Sequence, residues 1–228
     1  YFKKKELTPL LAQLVQITSL PLSTVERNFA IDSTGFGTGN FQRWFSFKHG
    51  RELSSRRWVK CHFMTGVKSN IITSVKVTTE FDNDSPELKA LVAQTAENFD
   101  MAEITADKAY LSRENLNLIA EAGATPYIPF KSNSTPRPAG VAIWKKMYHY
   151  FSLNNDEFMT HYHQRSNAES TVFMIKSKFG DNVRSKSWTA QVNEVLCKVI
   201  CHNIVCVIHE MNELGYNPET CLKSGVPA

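Results

Sequence analysis

Hydrophobic positions in this chain fall into short blocks of changing period, and each change marks an element. Residues 6 to 18 repeat their apolar positions as a short amphipathic helix. "NFAIDST" (28 to 34) is an apolar strand that ends in an acid, and "RRWVKCHFMTGVKSNIITSVKVT" (56 to 78) is two β-rich runs around a polar turn, most simply an antiparallel hairpin. In "DSPELKALVAQTAENF", Ser85 is the expected N-cap, Pro86 the first helical position, and Leu88, Leu91, Val92, Ala96 and Phe99 form one stripe. "MAEITADKAY" is the next strand, again ending in an acid. "LSRENLNLIAEAG" follows as a helix capped by Ser112, with Leu111 and Leu116 as a hydrophobic staple and Gly123 as the stop. "TPYIPF" is a short strand.

Residues 131 to 140, "KSNSTPRPAG", are a loop by composition. Two aromatic helices, around 141 to 151 and 155 to 162, come next, and a long helix over 188 to 214 closes the pattern. Strands separated by helices require helices on both faces of the sheet, so the expected fold is a three-layer α/β domain with a mixed sheet.

"YHQRSNAESTVFMIK" (162 to 176) is unlike its neighbours. As one helix it places Tyr162, Arg165, Glu169 and Lys176 within a wedge of roughly 60°. Ala168, Met174, Ile175 and Phe179 are expected on a neighbouring, core-facing flank. A phenol, two bases and an acid thus share one line beside the core.

Composition narrows the classes. Hydrophobic content of 42% and charged content of 21% over 228 residues describe an ordinary globular chain with enough length for a real core. The net charge is only +4, but residues 131 to 186 carry nine Lys and Arg against four Asp and Glu, a surplus of five that suits a polyanion. Cysteines at 61, 197, 201, 206 and 221 make an odd set with no signal peptide, which points to a reducing, cytoplasmic setting. Cys197, Cys201, Cys206 and His209 could suggest a metal site. Val195, Leu196, Val199, Ile200, Ile204, Val205, Val207 and Ile208 surround them, so a buried helix with cysteines as small core residues is the better reading. Lys198, His202 and Asn203 interrupt the apolar run, and no membrane partner is expected. A start at "YFKKKELTPLL" without Met is expected of a fragment.

Three acids stand out by position. Asp32 in "DSTG" alone is an Asx turn, Asp107 alone a surface turn residue, and Glu169 alone half of a helical ion pair with Arg165. Together they are two strand-end aspartates and a glutamate beside the core. Strand ends are where ligands gather in α/β sheets. Converging carboxylates repel, and a hard divalent cation such as Mg²⁺ or Mn²⁺ relieves that. Two such ions can clamp the oxygens of a phosphodiester during in-line displacement. Arg165 and Lys176 would then face phosphates.

At this point the residues resemble a known family. Tyr-x-x-Arg-x-x-x-Glu, then six residues, then Lys, is similar to the signature around the last acid of bacterial and archaeal insertion-sequence transposases of the DDE class. "FAIDSTGF", "RRWVKCHFMTGVKSNIITSVKVT" and "ITADKAYLSREN" resemble that group's other blocks, in order, over about residues 25 to 215. The resemblance implies a ribonuclease-H-like domain over 29 to 215, with a loop and aromatic helical insertion at 131 to 160 before the helix of the third acid. Residues 1 to 28 would be a helical remnant of a DNA-binding region, and 216 to 228 a tail. It implies Asp32, Asp107 and Glu169 as catalytic metal ligands for two Mg²⁺ or Mn²⁺ ions, and Tyr162, Arg165 and Lys176 as contacts to the transposon end. The implied partners are double-stranded DNA and a second copy assembled on it, at the nucleoid of a bacterium or archaeon. The implied activity is cleavage of DNA at transposon ends and transfer of the 3′-hydroxyl into target DNA. A nuclease or resolvase that does not join, or a decayed DNA-binding copy, are the alternatives. Ala109 stands where many relatives have Gly, which removes no ligand. Trp144, Tyr148, Tyr150 and Phe151, among Lys145, Lys146 and His149, could stack on a base, but packing of the insertion onto the core is the expected use. His163 and Gln164 have only their proximity to the signature.

Overall fold

The computed structural model describes residues 1–38, 48, 58–136, 142–213 and 215. Its sheet is built from β1 (Asn28–Gly37), β2 (Trp58–Gly66), β3 (Ile72–Thr79), β4 (Glu103–Ala106) and β5 (Thr125–Tyr127), in the order β3-β2-β1-β4-β5. The hairpin neighbours β1, β2 and β3 pair antiparallel, whereas β4 and β5 join on the other side in parallel. Parallel pairing demands crossovers, and α2 (Leu88–Ala96) and α3 (Arg113–Glu121) supply them. This mixed sheet flanked by helices is the ribonuclease-H-like arrangement.

Alternation along β1 assigns the two faces. Phe29 and Ile31 enter one core with Leu88, Leu91, Leu116 and Ile119 of the crossover helices. Ala30 and Phe36 enter the other, with Leu11 and Val15 of α1 (Leu7–Ser19), Ala168 and Ile175 of α6 (Ser166–Phe179), and Val195, Leu196 and Val199 of α7 (Trp188–Glu213). A period of two therefore turns Asp32, on the Ala30 side, toward the helix that bears Glu169.

The aromatic insertion forms α4 (Ala142–Leu153) and α5 (Asn155–Tyr162). Trp144, Tyr148, Tyr150 and Phe151 pack against the first core. Phe130 meets Trp144 edge-on at 5.0 Å and Tyr148 at 5.3 Å, so these rings serve packing.

One local expectation needs correction. Ser85 is not a helix cap. It lies in a 3-10 turn, Ser85–Glu87, and its carbonyl and hydroxyl oxygens accept from Asn115 Nδ2, while the helix begins at Leu88. Ser112 does cap α3, accepting from Asn115 N at 3.0 Å, and Gly123 ends that helix at φ 86°, a conformation that favours glycine.

The long helix also departs from the pattern, because Ile204 and Ile208 are about half exposed while its polar residues are buried. Lys198 Nζ donates to the carbonyls of Gly180 and Asn182. Asn203 Oδ1 accepts from Ile72 N at 2.9 Å, and its Nδ2 donates to Ile72 O at 2.8 Å and Val15 O at 3.3 Å. Residues that seemed to interrupt an apolar run are the ones that fasten it to the sheet. By length and composition this helix is apolar enough to cross a membrane, but these bonds make it a core helix. Its cysteines fit that role only in part: Cys206 is buried and Cys197 half-buried, but Cys201 is exposed.

His202 on the same helix is fully buried, with Nε2 at 2.9 Å from Asn70 O. A carbonyl accepts, so Nε2 carries the proton and Nδ1, without a hydrogen-bond partner, is bare. Burial lowers its pKa from the ordinary 6.5, and it lowers that of buried His62 too. A depressed histidine pKa means the unfolded chain binds more protons, so this stability is present at neutral pH and is lost as pH falls through about 6.5. Urea midpoints are expected to drop between pH 7.5 and 5.5, and His202→Gln is expected to flatten the drop. An equally steep slope in the variant would contradict the assignment.

Candidate active site

Asp32 is not at the end of its strand. β1 continues for five residues to Gly37 because β2 keeps pairing with it as far as Trp58. What ends near Asp32 is the pairing with β4, whose last partners are Ile31 and Ala106. The next residue on each strand is an aspartate, so register alone sets Asp32 and Asp107 side by side where the parallel ladder opens. Asp107 then caps a 3-10 turn, Lys108–Tyr110, its carboxylate accepting from Lys108 N.

The third acid arrives on α6. The signature is not the single helix that its spacing predicts. α5 ends at Tyr162, a 3-10 turn spans His163–Arg165, and α6 starts at Ser166. The core stripe of α6 is Ala168, Thr171, Val172, Ile175 and Phe179, with Met174 only half-buried and outside the core. Bonds fix this helix and the turn before it against the sheet and the β2–β3 turn. Asn28 Nδ2 donates to Gln164 Oε1 at 3.3 Å, and Thr171 Oγ1 donates to Asn70 Oδ1 at 3.1 Å. Beyond the helix, Gly37 N donates to Asp181 O and Val183 N to Gly37 O. A Cβ at Gly37 would meet the side-chain oxygen of Asn182, which would have to rotate away.

The two acids of this face meet through one cation. Arg165 Nη1 donates to Asp32 Oδ2 at 2.9 Å, and Nη2 donates to Glu169 Oε1 at 2.6 Å. The other Asp32 oxygen, Oδ1, accepts from Ser33 N at 2.8 Å. Burial raises the Asp32 pKa, and Asp107 and Glu169 add to the rise while the Ser33 N–H and Arg165 oppose it. For Arg165, burial works against the charge, and Asp32, Tyr162 and Glu169 outweigh it, raising its pKa.

The expected convergence of three carboxylates is therefore not preassembled, and no group of three or more His, Cys, Asp or Glu stands ready for a metal among the described residues. Arg165 is the physical reason. It draws Glu169 to itself, while Asp107 turns to Lys108 N. The donor set nonetheless fits a hard divalent cation, being all oxygen, with its two aspartates where the parallel ladder opens.

The remaining signature residues lie around this centre. Tyr162 is half-buried at the edge of the first core, its ring 6.0 Å from that of His163. Lys176 is two turns on from Glu169, with its ammonium 5.6 Å from the centroid of the Phe36 ring.

Two features were missed in the sequence. Phe173 is 71% exposed on the same flank as Glu169 and Lys176, an apolar side chain facing outward beside the acids. Behind Asp107, Tyr110 O accepts from Asn115 Nδ2, Asp84 Oδ1 lies 2.7 Å from Lys60 Nζ and 3.2 Å from His62 Nδ1, and the Tyr110 hydroxyl is buried. The signal for that polar support was His62, a histidine among the apolar residues of "KCHFMTG".

Comparison with known proteins places residues 23–204 within the family model described as a transposase DDE domain. Among solved structures, a similar chain comes from the intasome of simian T-cell lymphotropic virus in complex with PP2A regulatory subunit B56 gamma. It is 13% identical, with a TM-score of 0.36 over 89% of this chain and 56% of that one. This chain thus spans little more than half the length of the chain it matches.

Proposed function

The chain belongs to the transposase DDE-domain family, and from that premise we propose that it is a catalytic domain that cuts DNA at transposon ends and joins the freed 3′-hydroxyl to target DNA. The observation that carries this reading is the juxtaposition of Asp32 and Asp107 at adjoining strand positions, with Glu169 tied to Asp32 through a single guanidinium. Asp32, Asp107 and Glu169 would hold Mg²⁺ or Mn²⁺, two ions in all. When bound, such ions supply charge neutralisation for a phosphodiester and lower the pKa of a coordinated water.

The other residues would do the work of binding. Arg165 offers a planar fork suited to a phosphate, and Lys176 a second positive charge on the same flank. The basic surplus over residues 131 to 186 supports a polyanionic partner, here double-stranded DNA with two copies of the chain assembled on it. In the cutting step, water bonds to phosphorus and the DNA 3′-oxygen departs as a hydroxyl. In joining, that hydroxyl attacks a target phosphodiester and displaces a target 3′-oxygen.

Incubation with supercoiled plasmid tests this directly. Nicked circles are expected with millimolar Mn²⁺ and none with chelator, and a labelled DNA end with a free 3′-hydroxyl is expected to become joined to the plasmid. Nicking without joining would favour a nuclease. Binding without either product would favour a non-catalytic DNA-binding protein.

A further inference from the structure

The pairing of Arg165 asks more of this residue than DNA contact. With Glu169 alone it would be an ordinary i,i+4 helical pair. What changes its meaning is Asp32, 133 residues earlier, which takes the other terminal nitrogen at 2.9 Å. Both partners of that long-range pair are about four-fifths buried, and Arg165 Nε is buried with no hydrogen-bond partner. Both oxygens of Asp32 are engaged, one by Ser33 N and one by Arg165. A cation coordinated by Asp32 and Glu169 would need oxygens that the guanidinium now holds. A largely buried guanidinium that leaves them needs another acceptor, and a backbone phosphate matches its fork.

We infer that Arg165 is a positioning residue that stands in for the cation in the DNA-free protein, aligning Asp32 with Glu169 and releasing them when a DNA phosphate becomes its acceptor instead. This rests on the proposed function for the identity of the acceptor, but the competition between Arg165 and a cation does not. Linkage is reciprocal, so DNA tightens cation binding and cation tightens DNA binding by the same factor.

Mn²⁺ binding to the DNA-free protein, read by titration calorimetry or by the loss of the free-ion electron paramagnetic resonance signal, tests it without any turnover. Wild type is expected to bind weakly, and Arg165→Ala about tenfold more tightly, within the range usual for coupled sites. Arg165→Gln keeps the stem and removes the charge, and is expected to show the same gain if Arg165→Ala folds poorly. Lys176→Ala removes a charge from the same flank without touching either acid. An equal gain there would reduce the effect to net charge and overturn the inference, as would a wild-type affinity no weaker than that of the Arg165 variants. A non-cleavable duplex should tighten Mn²⁺ binding in wild type beyond the binding of the duplex alone, and should add nothing in Arg165→Ala. If Arg165→Ala tightens Mn²⁺ binding but plasmid is never nicked, the competition stands and the proposed reaction falls. If plasmid is nicked but Mn²⁺ affinity does not change in the variant, the reaction stands and the competition falls.

Discussion

Asp32→Asn, Asp107→Asn and Glu169→Gln proteins are each expected to stay folded and to lose DNA cleavage by at least about a thousandfold, or roughly 4 kcal/mol of barrier. Each substitution keeps the volume of the side chain and removes one negative charge from the set proposed to hold the metal. Asp107→Asn is the cleanest of the three. Its side chain is exposed and its structural duty is the cap on Lys108 N, which asparagine performs as well as aspartate. Melting temperature should therefore barely move while nicking with Mn²⁺ disappears. Glu169→Gln should likewise fold, because its carboxylate is 63% exposed and an exposed helical pair contributes little. A variant that keeps more than a tenth of wild-type nicking removes its residue from the catalytic set.

The largest loss of stability is expected from Asn203→Ala. The Asn203 amide presents itself to Ile72 as a neighbouring strand would, accepting from its N–H and donating to its carbonyl. β3 is the edge of the sheet among the described residues, so no further strand among them can take over. Truncation strands two buried backbone groups of Ile72 and removes a donor from Val15 O. At about 1–3 kcal/mol for each unsatisfied group, partly relieved by relaxation, the expected cost is about 3 kcal/mol. Urea unfolding should show it as a lower midpoint with an unchanged slope. A cost below about 1 kcal/mol would mean that water repairs the gap.

Residue pattern alone carried much of this fold, because period-two alternation at Phe29 to Ile31 and the cap at Ser112 depend on short-range chemistry. Where the reading failed, a distant partner had intervened. Asp32 seemed to end a strand, but continued pairing with β2 extends it to Gly37. Ser85 seemed a cap until Asn115, 30 residues later, claimed it. Lys198, His202 and Asn203 seemed to interrupt an apolar helix, since nothing local shows the carbonyls they reach. In the site, spacing named Arg165 and Glu169 but left Arg165 to phosphates. Its bond to Asp32 depends on how β1 lies against α6, which one helix cannot disclose.

That long-range bond also bears on how the protein is made. All five described strands are encoded by Tyr127, and Arg165 and Glu169 come well after them in sequence. A nascent chain halted between β5 and α6 holds the sequence of every described strand, with Asp32 and Asp107, but it has neither the third acid nor the guanidinium. On the proposed chemistry such a product cannot cut DNA. Translation thus supplies the two aspartates first and the glutamate together with its own restraint, because Arg165 leaves the ribosome four residues ahead of the glutamate it holds.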